Sequence, residues 1–126
     1  MRKRAGALII KDSKLLLISE GGQQFFWTPG GGLEIGESYI TALRRELLEE
    51  LNVILIEARF FISIEDKINN ENVRYYLVKL KSYPKLLSKQ TKFHWYTKSD
   101  LTSNEIAISP RVLSTVYPKL VELGYV

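Results

Sequence analysis

The chain has no cysteine, so disulfides and thiolate metal sites are excluded. Its single histidine, His94, is too few for an imidazole-rich zinc centre. Any metal must therefore be held mainly by oxygen. Long apolar runs are missing too: none approaches the roughly 20 residues that span a bilayer. The apolar stretch after the basic start Met1-Arg2-Lys3-Arg4 is too short for a secretion signal. A soluble, cytoplasmic protein without a membrane partner is expected. There are no repeats, low-complexity tracts or linkers, and 126 residues with 45% hydrophobic and 25% charged content suit one domain, 1–126, with a real core. The net charge of +4 is modest, with local density in Arg2-Lys3-Arg4 and between Lys79 and Lys92. Such charge helps an anionic ligand approach but gives no reason to expect nucleic acid.

Two apolar runs, Ala5 to Ile10 and Leu15 to Ile18, flank the polar break Lys11-Asp12-Ser13-Lys14 and read as a hairpin. A polar loop, Glu20-Gly21-Gly22-Gln23-Gln24, leads into the aromatic patch Phe25-Phe26-Trp27 and then Pro29-Gly30-Gly31-Gly32, which cannot be regular helix. From Ser38, a plausible N-cap, Ile40, Leu43, Leu47 and Leu51 recur at helical spacing. Asn52 follows, a residue that tolerates the left-handed turn beyond a helix end. Ile54 to Ile64 and Val73 to Leu80 read as antiparallel strands around a polar loop, Glu65 to Asn72, and Phe93 to Thr97 as a further strand. Ser109-Pro110 opens a terminal helix with an apolar face of Leu113, Val116, Tyr117, Leu120 and Leu123, which Pro118 should kink or split. The order of elements predicts an α+β fold, a mixed sheet covered by helices.

The chemistry lies on the central helix. Glu46, Glu49 and Glu50 stand at i, i+3 and i+4, which at about 100° per residue puts three carboxylates on one stripe. Clustering like charges this way disfavours the bare helix by a few tenths of a kcal/mol per pair, as a cation-binding surface would. Arg45 precedes Glu49 by four residues and can restrain it. The glycine-rich turn before the helix lets a backbone carbonyl complete an oxygen shell.

Together, Gly31, five residues, Glu37, seven residues and Arg45-Glu46-Leu47-Leu48-Glu49-Glu50-Leu51-Asn52-Val53 resemble the Nudix box. Pro29-Gly30-Gly31, Glu34 and Gly36-Glu37 resemble that family's usual turn as well. Asn52 stands where the family usually has glycine, and Lys89-Gln90-Thr91-Lys92 stands where members often carry a further acidic residue before a tryptophan-containing strand.

The resemblance implies a Nudix-like α/β/α sandwich, a central mixed β-sheet flanked by helices. It implies hydrolysis of a diphosphate linkage in a nucleotide-like small molecule, with Mg2+ as cofactor and Mn2+ as the alternative ion. It makes Gly31 (through its carbonyl), Glu37, Glu46, Glu49 and Glu50 the metal set, with Glu37 accessory, and Glu46, Arg45 and Glu49 the catalytic group. Glu46 is the first candidate for the base, with Glu65, Asp66 and Glu71 as alternatives. Phe25, Trp27 and Tyr76 are candidate substrate-binding aromatics, since every nucleobase offers a face for stacking. A second reading, a nucleotide-sensing module of the same fold with weak turnover, is distinguished by assay. Strand edges and the Glu65 to Asn72 loop leave room for a homodimer.

Overall fold

The computed structural model describes residues 1–22, 25–84 and 91–126. Gln23, Gln24, Lys89 and Gln90 lie outside the described residues. In chain order the elements are β1 (Arg2–Leu8), β2 (Ile10–Lys11), β3 (Lys14–Ser19), β4 (Gly30–Gly32), α1 (Tyr39–Leu51), β5 (Leu55–Asp66), β6 (Glu71–Leu80), β7 (Lys92–Tyr96), α2 (Lys98–Ser103) and α3 (Tyr117–Glu122), the last preceded by a π-helical turn, Val112–Val116. The chain divides into two compact units, Met1–Leu8 with Pro29–Leu87 and Ile9–Thr28 with Ser88–Val126.

The first unit holds a mixed sheet in the order β4-β1-β6-β5. β1 runs antiparallel to β4 and parallel to β6, and β5 and β6 form an antiparallel pair. Ala5 and Ala7, two apart and thus on one face of β1, are 2% and 0% exposed, and Gly31 stands opposite Ala5 in register. These small residues let α1 pack closely on β1 and β4. The helix buries Ala42, Leu43, Leu47 and Leu51 completely, whereas Ile40 at its first turn is only half-buried. Ser38 caps it by accepting the Thr41 N–H at 3.1 Å. Asn52 ends it at φ 54°, ψ 40°, its N–H donating to the Leu48 carbonyl at 3.1 Å and the following Val53 N–H to the Leu47 carbonyl at 3.4 Å.

The β5–β6 loop is shorter than the sequence suggests, because both strands extend through Glu65, Asp66, Glu71 and Asn72. The Asp66 carboxylate accepts the Asn69 backbone and side-chain amides at 3.0 and 2.8 Å, and Asn70 takes φ 55°, which closes a tight turn.

The second unit holds the antiparallel sheet β2-β3-β7. The expected hairpin is corrected here. Only Ile10–Lys11 pairs with β3, around Asp12 and Ser13 at φ 51° and 63°, while Ala5 to Leu8 belong to the other sheet. The run of apolar residues conceals the change of sheet because nothing in its composition marks a break at Ile9. Pro118 does not split the terminal helix: helical backbone runs without a break from Pro110 to Glu122. It lacks an amide hydrogen, and the turn before it opens to π geometry, with Tyr117 N–H donating to the Val112 carbonyl five residues back. α2 was not foreseen; Asp100 accepts the Thr97 N–H at 2.7 Å and its partner His94 Nε2 lies 2.9 Å away. No helix among the described residues is long and apolar enough to cross a membrane.

Candidate active site

The sequence-predicted carboxylates gather in the first unit around one guanidinium. Arg45 is on the second turn of α1, its side chain 22% exposed. Its Nε donates to Glu37 Oε2 at 2.8 Å and its Nη2 to Glu37 Oε1 at 2.9 Å, a bidentate fork. Its Nη1 donates to Glu46 Oε1 at 3.0 Å and more weakly to Glu49 Oε2 at 3.4 Å. A further Nη2 bond, 3.0 Å to the Gly32 carbonyl, ties the helix to β4. The i, i+4 pair with Glu49 is therefore the lesser of its contacts. The eight-residue link to Glu37 dominates, and sequence spacing carries no signal for it.

Glu37 is placed by its own turn: its Oε1 accepts the Glu34 N–H at 2.8 Å, its N–H donates to the Glu34 carbonyl at 3.0 Å, and Gly36 takes φ 83° between them. The Arg45 fork, with the Glu34 N–H, holds the Glu37 carboxyl down at about 2. Arg45 is in turn held firmly protonated by the Glu37 carboxylate. Glu46 behaves in the opposite way. Burial pushes its carboxyl above the ordinary value, with the nearby Glu49 charge adding to the rise and Arg45 and Arg4 only partly offsetting it.

Gly31 is required for steric reasons. A Cβ built there would lie 2.5 Å from Cδ and Oε1 of Glu46, so the helix carboxylate rests directly on the β4 backbone. Glu50 turns to the neighbouring residue, its Oε1 accepting the Gly30 N–H at 2.9 Å. Glu49 is open, with 58% of its side chain exposed. As the side chains stand, no group of three or more His, Cys, Asp or Glu among the described residues is disposed to hold a metal ion. Glu37 and Glu46 are engaged by Arg45, and Glu50 by Gly30. The donor set itself, carboxylates beside a glycine backbone with no nitrogen or sulfur ligand, is that of a hard divalent cation.

The other predicted residues are distributed differently. Tyr76, a stacking candidate, is only 6% exposed on β6 and stands edge to face with Phe60 at 6.0 Å, which leaves little open ring surface for a nucleobase. Phe25 and Trp27 belong to the second unit, half-buried, edge to face at 6.3 Å, with the Arg111 guanidinium 5.4 Å over the Trp27 ring. Of the alternative bases, Asp66 closes the β5–β6 turn and Glu71 faces Arg4 at 3.7 Å. Sequence reading noted Arg2-Lys3-Arg4 as local charge density without assigning its residues to a face of β1. Arg2 and Arg4 alternate on one face of that strand, and the period of two was the available signal.

A family model described as NUDIX domain matches residues 1–116. No curated protein matches significantly. Among solved structures, a MutT protein from a study of the Aliivibrio salmonicida and Vibrio cholerae enzymes is similar at 20% identity, with 97% of this chain and 98% of that chain covered and a TM-score of 0.79. A NUDIX hydrolase from Nitrosomonas europaea is similar at 21% identity over 98% of this chain and 90% of that one, TM-score 0.73. A MutT NUDIX hydrolase from Burkholderia pseudomallei is similar at 22% identity over 96% and 95%, TM-score 0.68. At these identities the structural likeness speaks for the fold.

Proposed function

The chain belongs to the Nudix family and is a pyrophosphohydrolase of it, and from that premise we propose that it cleaves a diphosphate linkage in a nucleoside triphosphate or related nucleotide derivative with Mg2+. The observation that carries the proposal is the Glu46 carboxylate seated on Gly31 with Arg45 bonded to it, at the centre of the matched motif. Glu46, Glu49, Glu50 and the Gly31 carbonyl would hold the ion, with Glu37 acting at one remove through Arg45. A divalent ion there supplies charge neutralisation at phosphoryl oxygens and lowers the pKa of water.

The side chains divide the remaining work. Glu46 Oε1 is held by Arg45, and its Oε2 takes the proton from the attacking water. Burial makes Glu46 a stronger base than an exposed carboxylate. Arg45 is a positioning residue: its five donors are committed to Glu37, Glu46, Glu49 and Gly32 and keep the helix carboxylates and β4 in one frame. Glu37 stays ionised and anchors that fork. Phe25 and Trp27, in the second unit, are the aromatics proposed for stacking on a nucleobase.

The test is product release from nucleoside triphosphates, nucleotide sugars, ADP-ribose and dinucleoside polyphosphates with Mg2+ or Mn2+, comparing native protein with Glu46→Gln and Glu50→Gln. The expectation is turnover by the native chain and a loss of about 10²- to 10⁴-fold in Glu46→Gln with substrate binding retained. Unchanged turnover in Glu46→Gln removes it as the base. Tight binding without turnover by the native chain supports the nucleotide-sensing module instead.

A further inference from the structure

Of the basic start of the chain, Arg2-Lys3-Arg4, only Arg4 has entered the site described above, through its charge on Glu46. Arg2 and Arg4 point to the same face of β1. In register, Arg4 lies opposite Gly32. Gly32 has no side chain, and its place is taken by Arg2: a Cβ built on Gly32 would fall 2.7 Å from Arg2 Nε and 2.9 Å from its Cζ. The guanidinium is thus laid over β4, the edge strand of the sheet, at the residue whose carbonyl Arg45 holds, on the face opposite the Glu46 seat at Gly31. Among the described residues no carboxylate pairs with Arg2. Arg4 is 28% exposed, faces Glu71 at a loose 3.7 Å and acts electrostatically on Glu46.

The charge balance of the site calls for such cations. Glu34, Glu37, Glu46 and Glu49 lie around the single positive charge of Arg45, so a polyphosphate entering here meets an excess of negative charge. A divalent ion on the carboxylates compensates the phosphates it touches. A phosphoryl group beyond its reach needs a cation of its own. Exposed and lying over a glycine, the Arg2 guanidinium offers a planar fork that fits two phosphate oxygens at once.

We propose that Arg2, seated on Gly32 and supported by Arg4, binds a phosphoryl group of the substrate outside the carboxylate cluster, so that the enzyme selects nucleotides with a charged terminal phosphate over nucleotide sugars. This rests on the hydrolase reading above. Arg2 makes no bond to the catalytic carboxylates and acts on affinity.

The experiment compares native protein, Arg2→Gln and Arg2→Lys on a nucleoside triphosphate and on ADP-ribose, with Mg2+, and titrates each with inorganic triphosphate by calorimetry. In Arg2→Gln the KM for the nucleoside triphosphate rises about tenfold, the loss of one charge-assisted contact. Its kcat stays within about twofold, the KM for ADP-ribose does not move, and the melting temperature is unchanged. Arg2→Lys recovers part of the affinity. Inorganic triphosphate binds native protein and binds Arg2→Gln about tenfold more weakly. Equal KM changes on both substrates, or none, overturn the assignment. So does inorganic triphosphate binding that is absent or indifferent to the substitution. If the native chain turns over neither substrate, the hydrolase reading fails, and the calorimetry still decides whether Arg2 binds phosphate.

Discussion

Three glycines of one short segment should respond to alanine in three different ways. Gly30 sits at φ 134°, and a Cβ there would collide with the backbone carbonyl of Ala5, its near neighbour in the β1–β4 pair. Neither strand can retreat without breaking that pairing. Strained backbone costs about 1–2 kcal/mol and overpacking about 1–3 kcal/mol, so Gly30→Ala should lose about 2–5 kcal/mol, a large part of the roughly 5–15 kcal/mol that stabilises a domain. At about 4 °C per kcal/mol the melting temperature falls by about 8–20 °C. Gly36 has φ 83° but nothing within 4 Å of a built Cβ. Gly36→Ala therefore carries only the backbone term, about 1–2 kcal/mol, and leaves the carboxylates in place. Gly31 has no unusual φ, and what a Cβ meets there is the end of a flexible side chain, Glu46. Gly31→Ala should cost stability only at the scale of an off-rotamer glutamate, about 0.5–1.5 kcal/mol. Moving that carboxylate by about 1 Å should cost on the order of 10²-fold in turnover. Thermal unfolding and pyrophosphatase activity measured side by side on the three variants separate the effects. Full activity in Gly31→Ala, or a Gly30→Ala variant as stable as Gly36→Ala, would refute this account of how β4 seats the helix.

Two further expectations concern pH. Glu37 is held at about 2 against an ordinary 4.5, so its ionised form stabilises the fold above 4.5 and that contribution disappears as the pH falls to about 2. Denaturant midpoints of native protein and Glu37→Gln should differ at neutral pH and converge across that window; a constant gap would contradict it. Tyr117 is fully buried, its hydroxyl has no hydrogen-bond partner among the described residues, and burial raises its pKa to about 12. The neutral ring favours the fold below about 10, and this contribution is lost as the pH climbs to about 12. Tyr117→Phe removes the unsatisfied hydroxyl and should gain about 1 kcal/mol in denaturant unfolding while weakening the alkaline transition; destabilisation would show that the hydroxyl has a partner in solution.

What could be read from the residues depended on how local the cause was. α1 was legible end to end because its signals are local: Ser38 at one end, apolar spacing through Leu43, Leu47 and Leu51, and Asn52 able to enter the left-handed region at the other. The acidic stripe followed from the same periodicity. Partner choice was not legible. Ala5 to Ile10 is one apolar run in the sequence, yet β1 ends at Leu8 and β2 begins at Ile10 in a different sheet. β4 is three glycines with no strand propensity at all, held by pairing with Arg4, Ala5 and Gly6. In the site, the contacts of Arg45 with Glu37 and Gly32 and of Glu50 with Gly30 join residues eight to twenty positions apart. An aromatic in a strand, such as Tyr76, discloses its environment only when the neighbours on its face are known.

The fork of Arg45 also has a thermodynamic consequence for any divalent cation that uses these oxygens. The guanidinium already neutralises part of the charge that would draw such an ion in, and it occupies lone pairs of Glu37, Glu46 and Glu49. Protein and ion are thus rivals for one set of acceptors. The resident positive charge keeps the carboxylates from driving one another apart before loading, and it weakens the grip once the ion arrives. Affinity for such an ion is then set by the difference between two good arrangements, not by the carboxylate count alone.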